Sequence, residues 1–315
     1  MTSAPYVFTF PGQGSQALGM GKALADASVT ARAVFQEVDD ALGQHLSKLM
    51  WDGPEADLTL TQNAQPALMA VGVAATRFLL VDHGIDLTKV ARFTAGHSLG
   101  EYTALAASGA LDLTDTARLL RHRGQAMQRA VPVGVGAMAA LLGVDMDFVR
   151  QVLADAAQGE VLDAANDNAP GQVVISGTAA AVERAVALAK AQGKKAMMLS
   201  VSAPFHCALM QPAADEMADA LANATIKAPL VPLYANVTAA PVTDPAEIRK
   251  LLVAQVTGLV RWRESIEAMA ATGVSGFVEL GAGKVLSGMA KRIVKDANCI
   301  NLATPDDVEA FAKSL

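Results

Sequence analysis

The segment "VARFTAGHSLGEYTALAASGA" (residues 90–110) decides the fold, because its character changes in the middle. Val90–Gly96 is rich in β-branched, aromatic and small residues, the composition of a short buried strand. From Ser98 onward leucine, glutamate and alanine take over, which predicts a helix. A buried strand running straight into a helix is the unit of an α/β domain with a parallel sheet.

The same rhythm extends outward. "YVFTF" (6–10) predicts a second buried strand, followed by the glycine-punctuated loop "PGQGSQALGMG" and a helical stretch over 20–41. Helical patterns recur over 64–81, 99–108 and 114–130. From about residue 133 the order changes. Strands are predicted at 136–144, 160–166, 172–177 and 195–201, with helices at 146–157 and 179–193 and a turn at "DNAPG". That order, βαββαβ, is the ferredoxin-like pattern. After Ala203 the larger unit resumes, with a helix over 208–223 and strands in "VPLYAN" and "GFVELGAG". The expected organisation is therefore a large α/β subdomain of residues 1–132 and 204–315. A small ferredoxin-like subdomain, 133–203, is inserted into it, with a cleft between the two.

Composition narrows the class. A chain of 315 residues can bury a substantial core, and 52% of it is hydrophobic against 4% aromatic, which suits small, closely packed elements. The apolar run near 67–76 ends at Arg77, short of the ~18–20 residues that span a bilayer. The start has no basic n-region or apolar h-region of signal-peptide type. Two cysteines, Cys207 and Cys299, offer neither a disulfide framework nor metal-ligand spacing. A soluble, cytoplasmic protein is the expectation. A net charge of −6 with scattered basic residues argues against nucleic acid as partner.

"GHSLG" (96–100) has the form of a nucleophile elbow, in which glycines flank a serine because the tight turn leaves no room for side chains two positions away. The Leu99 N–H at the helix start would then face an oxyanion. A capping serine is the other reading. A nucleophilic serine needs a base, and the chain has five histidines. His97 adjoins Ser98, and neighbours around an elbow diverge. His45 and His83 stand in polar helix-end contexts, and His122 lies among arginines. His206 in "SAPFHCALM" follows a strand and a proline at a helix start, and leads by elimination. A satisfied structural histidine is its alternative.

Arg123 carries the sharpest pattern. In "DTARLLRHRGQAMQRA" (115–130) it falls at the centre of the apolar face made by Leu119, Leu120, Ala126, Met127 and Ala130. A guanidinium aimed inward requires an anion. Either an internal Asp or Glu supplies it, or a substrate carboxylate does. "PGQGSQ" (11–16) lacks the P-loop ending and the third glycine of a dinucleotide fingerprint, so no nucleotide cofactor is expected. Gln13 in this loop is a candidate second oxyanion donor.

Taken together, "FPGQGSQ", "GHSLGEY", "RGQAMQ", "GAMAA", "NDNAPGQVVISG", "PFHCALMQPA" and "GKVLSGMAKRI", in this order from Phe8 to Ile293, closely resemble the malonyl-CoA:acyl carrier protein transacylase family of bacterial type II fatty acid synthesis. The resemblance implies an α/β-hydrolase-like large subdomain with a ferredoxin-like insert. It implies Ser98 as nucleophile, His206 as base, Gln13 and Leu99 as oxyanion donors, and Arg123 as holder of the malonyl carboxylate. Gln255 would orient the histidine through its backbone carbonyl in place of a triad acid. The chain departs from the family pattern at Leu259, where relatives often have proline, and at Ala282 in "ELGAGKVL". Phe205 is expected to crowd an α-methyl branch and so favour malonyl over methylmalonyl. The implied partners are malonyl-CoA and an acyl carrier protein, with no cofactor, no metal, no membrane and a monomeric enzyme. Lys284, Lys291 and Arg292 are candidates for a basic patch that receives the acidic carrier protein, or else form a solvated helix face.

Overall fold

The computed structural model describes residues 5–315; residues 1–4, at the start of the expected first segment, lie outside the described residues. Strands form where the apolar β-branched runs stand. In chain order they are β1 (Tyr6–Phe10), β2 (Ala91–Gly96), β3 (Gly136–Leu142), β4 (Leu162–Ala169), β5 (Gln172–Thr178), β6 (Lys195–Met198), β7 (Leu233–Ala235), β8 (Ala240–Val242), β9 (Gly276–Leu280) and β10 (Cys299–Leu302).

They make two sheets in a mixed α/β protein. The larger runs β10-β9-β1-β2-β7-β8, parallel except for the β7–β8 pair at its edge. Phe10 stands opposite Gly96, so β1 and β2 end at the same level. Val7, Phe8 and Phe10 are buried, as expected of a parallel strand covered on both faces. The helix Thr61–Arg77 packs against Leu99–Ala107 and Leu113–Ala130. With its π-helical extension Phe78–Asp82 it is long and apolar enough to cross a membrane by length and composition. However, 83% of its apolar window is buried inside the protein, so its apolarity is that of a core helix.

The smaller sheet, β4-β5-β3-β6, is antiparallel throughout. Its period-2 alternation gives it two apolar faces. Ala139, Leu141 and Ile175 pack on the helices Met146–Ala157 and Ala179–Ala191 in a core of their own. Met138, Ala140 and Val174 face the other way, against Leu199 and Phe205.

Several boundaries differ from expectation, each for a local reason. The helical stretch 20–41 is two helices, Lys22–Ala27 and Val29–Leu42, because Ser28 breaks the run and caps the second, its Oγ accepting the Ala31 N–H at 2.9 Å. β4 continues through "DNA", leaving only Pro170–Gly171 as the turn. Those polar residues read as turn formers, yet they find partners across the junction with the larger unit. Asp167 N–H donates to the Val260 carbonyl, and its carboxylate accepts from Arg263. The strand expected over 195–201 stops at Met198.

The turn between β2 and its helix is packed to contact. A Cβ on Gly96 would lie 1.9 Å from the Gly100 carbonyl carbon, and one on Gly100 would lie 2.2 Å from the Phe10 carbonyl oxygen. Gly100→Ala is expected to cost at least about 3 kcal/mol in urea unfolding, or to prevent folding. Gly288→Ala, on an exposed helix position with no atom within 4 Å of the new Cβ, should instead gain roughly 0.5–1 kcal/mol.

Candidate active site

The carboxyl ends of the parallel strands deliver the site, as in other open α/β sheets. Gln13 follows β1, Ser98 follows β2 and Asn236 follows β7. Ser98 has φ 53° and ψ −111°, a conformation that side-chain-bearing residues avoid and that surrounding contacts must hold. His97 N–H donates to the Phe10 carbonyl at 3.0 Å, and Ser98 N–H to Asn236 Oδ1 at 2.8 Å. Asn236 Nδ2 in turn donates to the Gly96 carbonyl at 2.7 Å. The turn is thus tied to the strands on both sides of β2. Ser98 makes no side-chain cap on its helix, which leaves its hydroxyl for other partners.

The first of these is His206, whose Nε2 lies 2.8 Å from Ser98 Oγ. His206 is itself buried at φ 57°, and its Nδ1 lies 2.9 Å from the Gln255 main-chain carbonyl. A carbonyl only accepts, so Nδ1 carries the ring proton, and in the neutral imidazole Nε2 is left to accept from the serine hydroxyl. Burial, reinforced by the Arg123 charge, pushes the His206 pKa down to about 3. The ring is therefore neutral around pH 7, the form that can take a proton.

Arg123, on the helix Leu113–Ala130, is 1% exposed. Its Nη1 donates to Gln65 Oε1 at 2.8 Å, and its Nη2 to Gln255 Oε1 at 2.8 Å and Ser98 Oγ at 3.1 Å. The guanidinium carbon stands 5.7 Å from the Tyr102 ring centroid. Among the described residues no carboxylate forms an ion pair with it. Of the two readings left open by the sequence, the internal ion pair is absent. Burial lowers the guanidinium pKa, but an arginine starts so far above neutrality that it stays cationic.

A cavity of about 340 Å³ joins these groups, lined by Gln13, Ser98, Leu99, Arg123, Phe205 and His206. Met127, Met138, Leu199 and Val201 add an apolar wall drawn partly from the smaller sheet and the chain beyond it. Gln255, at 0% exposure, lies behind the cavity. His97 also reaches the cavity, but its Nε2 pairs with Asn168 Oδ1 at 2.8 Å and its ring packs against Trp262. His45 and His83 are exposed, and His122 lies beside Glu216, away from the site. Lys284, Lys291 and Arg292 are exposed and none lines the cavity; Arg292 is engaged by the Gln172 side chain and the Pro170 carbonyl.

A serine with a neutral histidine base, facing a cavity with a buried cation, is equipped for acyl transfer. Comparison with known proteins agrees. The profile of the acyl transferase domain matches residues 7–306. The malonyl CoA-acyl carrier protein transacylase of Bacillus subtilis strain 168 is 44% identical over 98% of this chain and 96% of its own length. The chain belongs to this acyl transferase family. Among solved structures, the acyl-carrier-protein-S-malonyltransferase of Bartonella henselae superposes with a TM-score of 0.96 at 53% identity, covering 98% of this chain and 99% of that one. A type II PKS acyl-carrier protein in complex with its malonyl-transacylase gives 0.95 at 40% identity, covering 99% of this chain and 100% of that one.

Four residues of this acyl transferase site were not singled out from sequence: Gln65, Glu101, Asn236 and the side chain of Gln255. Glu101 carried a signal, as the one charged residue in the apolar helix "LGEYTALAA". Gln65 carried none, since it ends the polar start "TQNAQ" of its helix, before the apolar run from Pro66. Asn236, at the end of a three-residue strand, carried none. Burial pushes the Glu101 pKa up to about 7, against the opposing pull of its hydrogen bonds and of Arg123.

Two buried groups therefore titrate on folding in opposite senses. Folded Glu101 holds a proton that the unfolded chain releases near 4.5, so its contribution is lost as pH rises from about 4.5 through about 7. Folded His206 resists a proton that the unfolded chain takes up near 6.5, so its contribution is lost as pH falls from 6.5 toward about 3. Urea unfolding across pH 4–8 should show Glu101→Gln gaining on wild type as pH rises, and His206→Gln gaining as pH falls.

Proposed function

We propose that this chain transfers the malonyl group of malonyl-CoA to the phosphopantetheine thiol of an acyl carrier protein, through a malonyl ester of Ser98. The observation that carries this reading is Arg123: a buried cation within hydrogen-bond reach of Ser98 Oγ, partnered only by neutral groups. A malonyl carboxylate supplies the missing charge and places the thioester carbonyl at the serine. An acetyl group would leave the guanidinium without that partner, which disfavours acetyl relative to malonyl.

The steps balance as a ping-pong cycle. Ser98 Oγ attacks the thioester carbonyl while its proton passes to His206 Nε2. The main-chain N–H groups of Gln13 and Leu99 receive the negative charge on the carbonyl oxygen. The C–S bond then breaks and the CoA sulfur leaves with the proton from His206. The carrier-protein thiol gives its proton to His206 and attacks malonyl-Ser98; the ester C–O bond breaks and His206 returns the proton to Ser98 Oγ, which restores the free serine. His206 is oriented by the Gln255 carbonyl, so the site works as a dyad. No step calls for a cofactor. The apolar wall of Met127, Met138, Leu199, Val201 and Phe205 favours the thiol over water, and Phe205 crowds an α-methyl branch.

The same reading includes an α/β-hydrolase-like subdomain of residues 1–132 and 204–315 with a ferredoxin-like insert of 133–203. The separate apolar core between the smaller sheet and its two helices supports that division. We further take the enzyme to be cytoplasmic and monomeric, with the carrier protein as its macromolecular partner. The malonyl-transacylase of similar structure that was solved with an acyl-carrier protein supports the partner.

Intact mass spectrometry after mixing with malonyl-CoA is the test. Wild type should gain one malonyl group, and Ser98→Ala none. Arg123→Ala should load malonyl roughly 10–100-fold more slowly, with acetyl relatively favoured. A full adduct in Ser98→Ala would overturn the mechanism. Comparing malonyl-CoA with methylmalonyl-CoA tests Phe205, and equal loading would remove it from specificity.

A further inference from the structure

Glu101 is buried at 1% exposure, three residues beyond the nucleophile on the same helix. Its Oε2 accepts from Gln255 Nε2 at 2.7 Å and from the Asn236 main-chain N–H at 3.2 Å. It makes no ion pair with Arg123 among the described residues. The Gln255 amide stands between them, its Oε1 turned to the guanidinium and its Nε2 to Glu101 and to the Ser98 carbonyl at 2.9 Å. The mechanism above uses the main-chain carbonyl of Gln255 and leaves this side-chain relay without a role.

An amide has two faces of similar shape and opposite hydrogen-bonding sense. A guanidinium only donates, so Gln255 holds Arg123 only while its oxygen faces that way. The reversed amide would set its NH2 against the cation and leave Nη2 without this acceptor. Acceptors on the far side decide between the two orientations, and Glu101 supplies the shortest bond there.

We propose that Glu101 is a positioning residue: by accepting from Gln255 Nε2 it fixes the amide, and through it the Arg123 guanidinium, in the pose that selects a carboxylate-bearing acyl group over an uncharged one. The inference rests on the transacylase reading above. It places the requirement on the reach of an acceptor rather than on charge. With its pKa pushed up to about 7, the Glu101 carboxyl is partly protonated at neutral pH, and a protonated carboxyl keeps one accepting oxygen.

Reach and charge separate in two substitutions. Glu101→Gln keeps the length and an accepting oxygen but removes the charge. Glu101→Asp keeps the charge but is one methylene too short for a bond of 2.7 Å. The measurement is single-turnover acylation of Ser98 by malonyl-CoA and by acetyl-CoA, read as the ratio of the two rates, on variants that unfold cooperatively. Glu101→Gln is expected to stay within about 3-fold of the wild-type ratio. In Glu101→Asp the ratio should fall by roughly 10-fold or more, through malonyl loading with acetyl loading little changed. Should Glu101→Asp not fold, Glu101→Ala takes its place with the same expected fall.

Three results overturn the proposal: a wild-type ratio in the shortened variant, an equal loss of both rates, or a fall in Glu101→Gln as large as in Glu101→Asp. The first two would leave Glu101 only a packing role. Wild type loading acetyl as fast as malonyl would instead overturn the transacylase reading, a failure visible before any variant is made.

Discussion

A guanidinium buried beside a serine hydroxyl, with no carboxylate paired to it among the described residues, is the constraint on which the rest of the site depends. Burying a lone cation is costly, and the protein offsets that cost only in part. Gln65 and Gln255 accept from it and the Tyr102 ring stands near it, but all three are neutral. A Glu or Asp at either glutamine position would satisfy the charge fully and leave no attraction for a substrate. The amides hold the side chain in place and leave its charge to be met by what enters the cavity.

That same charge acts on the base. It adds to burial in lowering the His206 pKa, so the histidine stays neutral around pH 7 and is ready to accept the serine proton. It also donates to Ser98 Oγ, a bond that strengthens as negative charge gathers on that oxygen. A carboxylate in the place of the Gln255 main-chain carbonyl would push the imidazole toward its charged form. A neutral acceptor fixes the tautomer without doing so.

Much of this was legible in the sequence, for identifiable reasons. The strand–turn–helix around Ser98 showed because a change of composition coincides with a change of structure, and the contacts at Gly96 and Gly100 account for the glycine spacing. Arg123 showed because a helix has a period, and a cation on its apolar face breaks the pattern. The polar groups behind the site did not show. Asn236 and Gln65 meet Ser98 and Arg123 only across long separations in sequence, 138 and 58 residues, and no local pattern encodes such a meeting. β4 misled for the related reason that "DNA" has turn-forming composition, while its partners Val260 and Arg263 lie about a hundred residues away.

Those distant partners also bear on the cavity. Asn166 lines it, and the adjoining stretch of β4 is tied down by main-chain bonds between Ala165, Asp167 and Val260. The buried Asp167 pairs with Arg263 at 2.8 Å, and Arg292 grips the following turn. The opposite edge of the smaller sheet, β6, is held far less. Met197 and Met198 are exposed there, and the chain beyond it supplies Leu199, Ser200 and Val201 to the lining. The cavity therefore has one wall fixed by hydrogen bonds to the larger unit and another made of apolar side chains at a free sheet edge. The fixed wall lies next to His97 and Ser98, through Asn168. Ångström-level geometry matters most for the reacting atoms, and the junction that was hardest to read from sequence is the one that secures it.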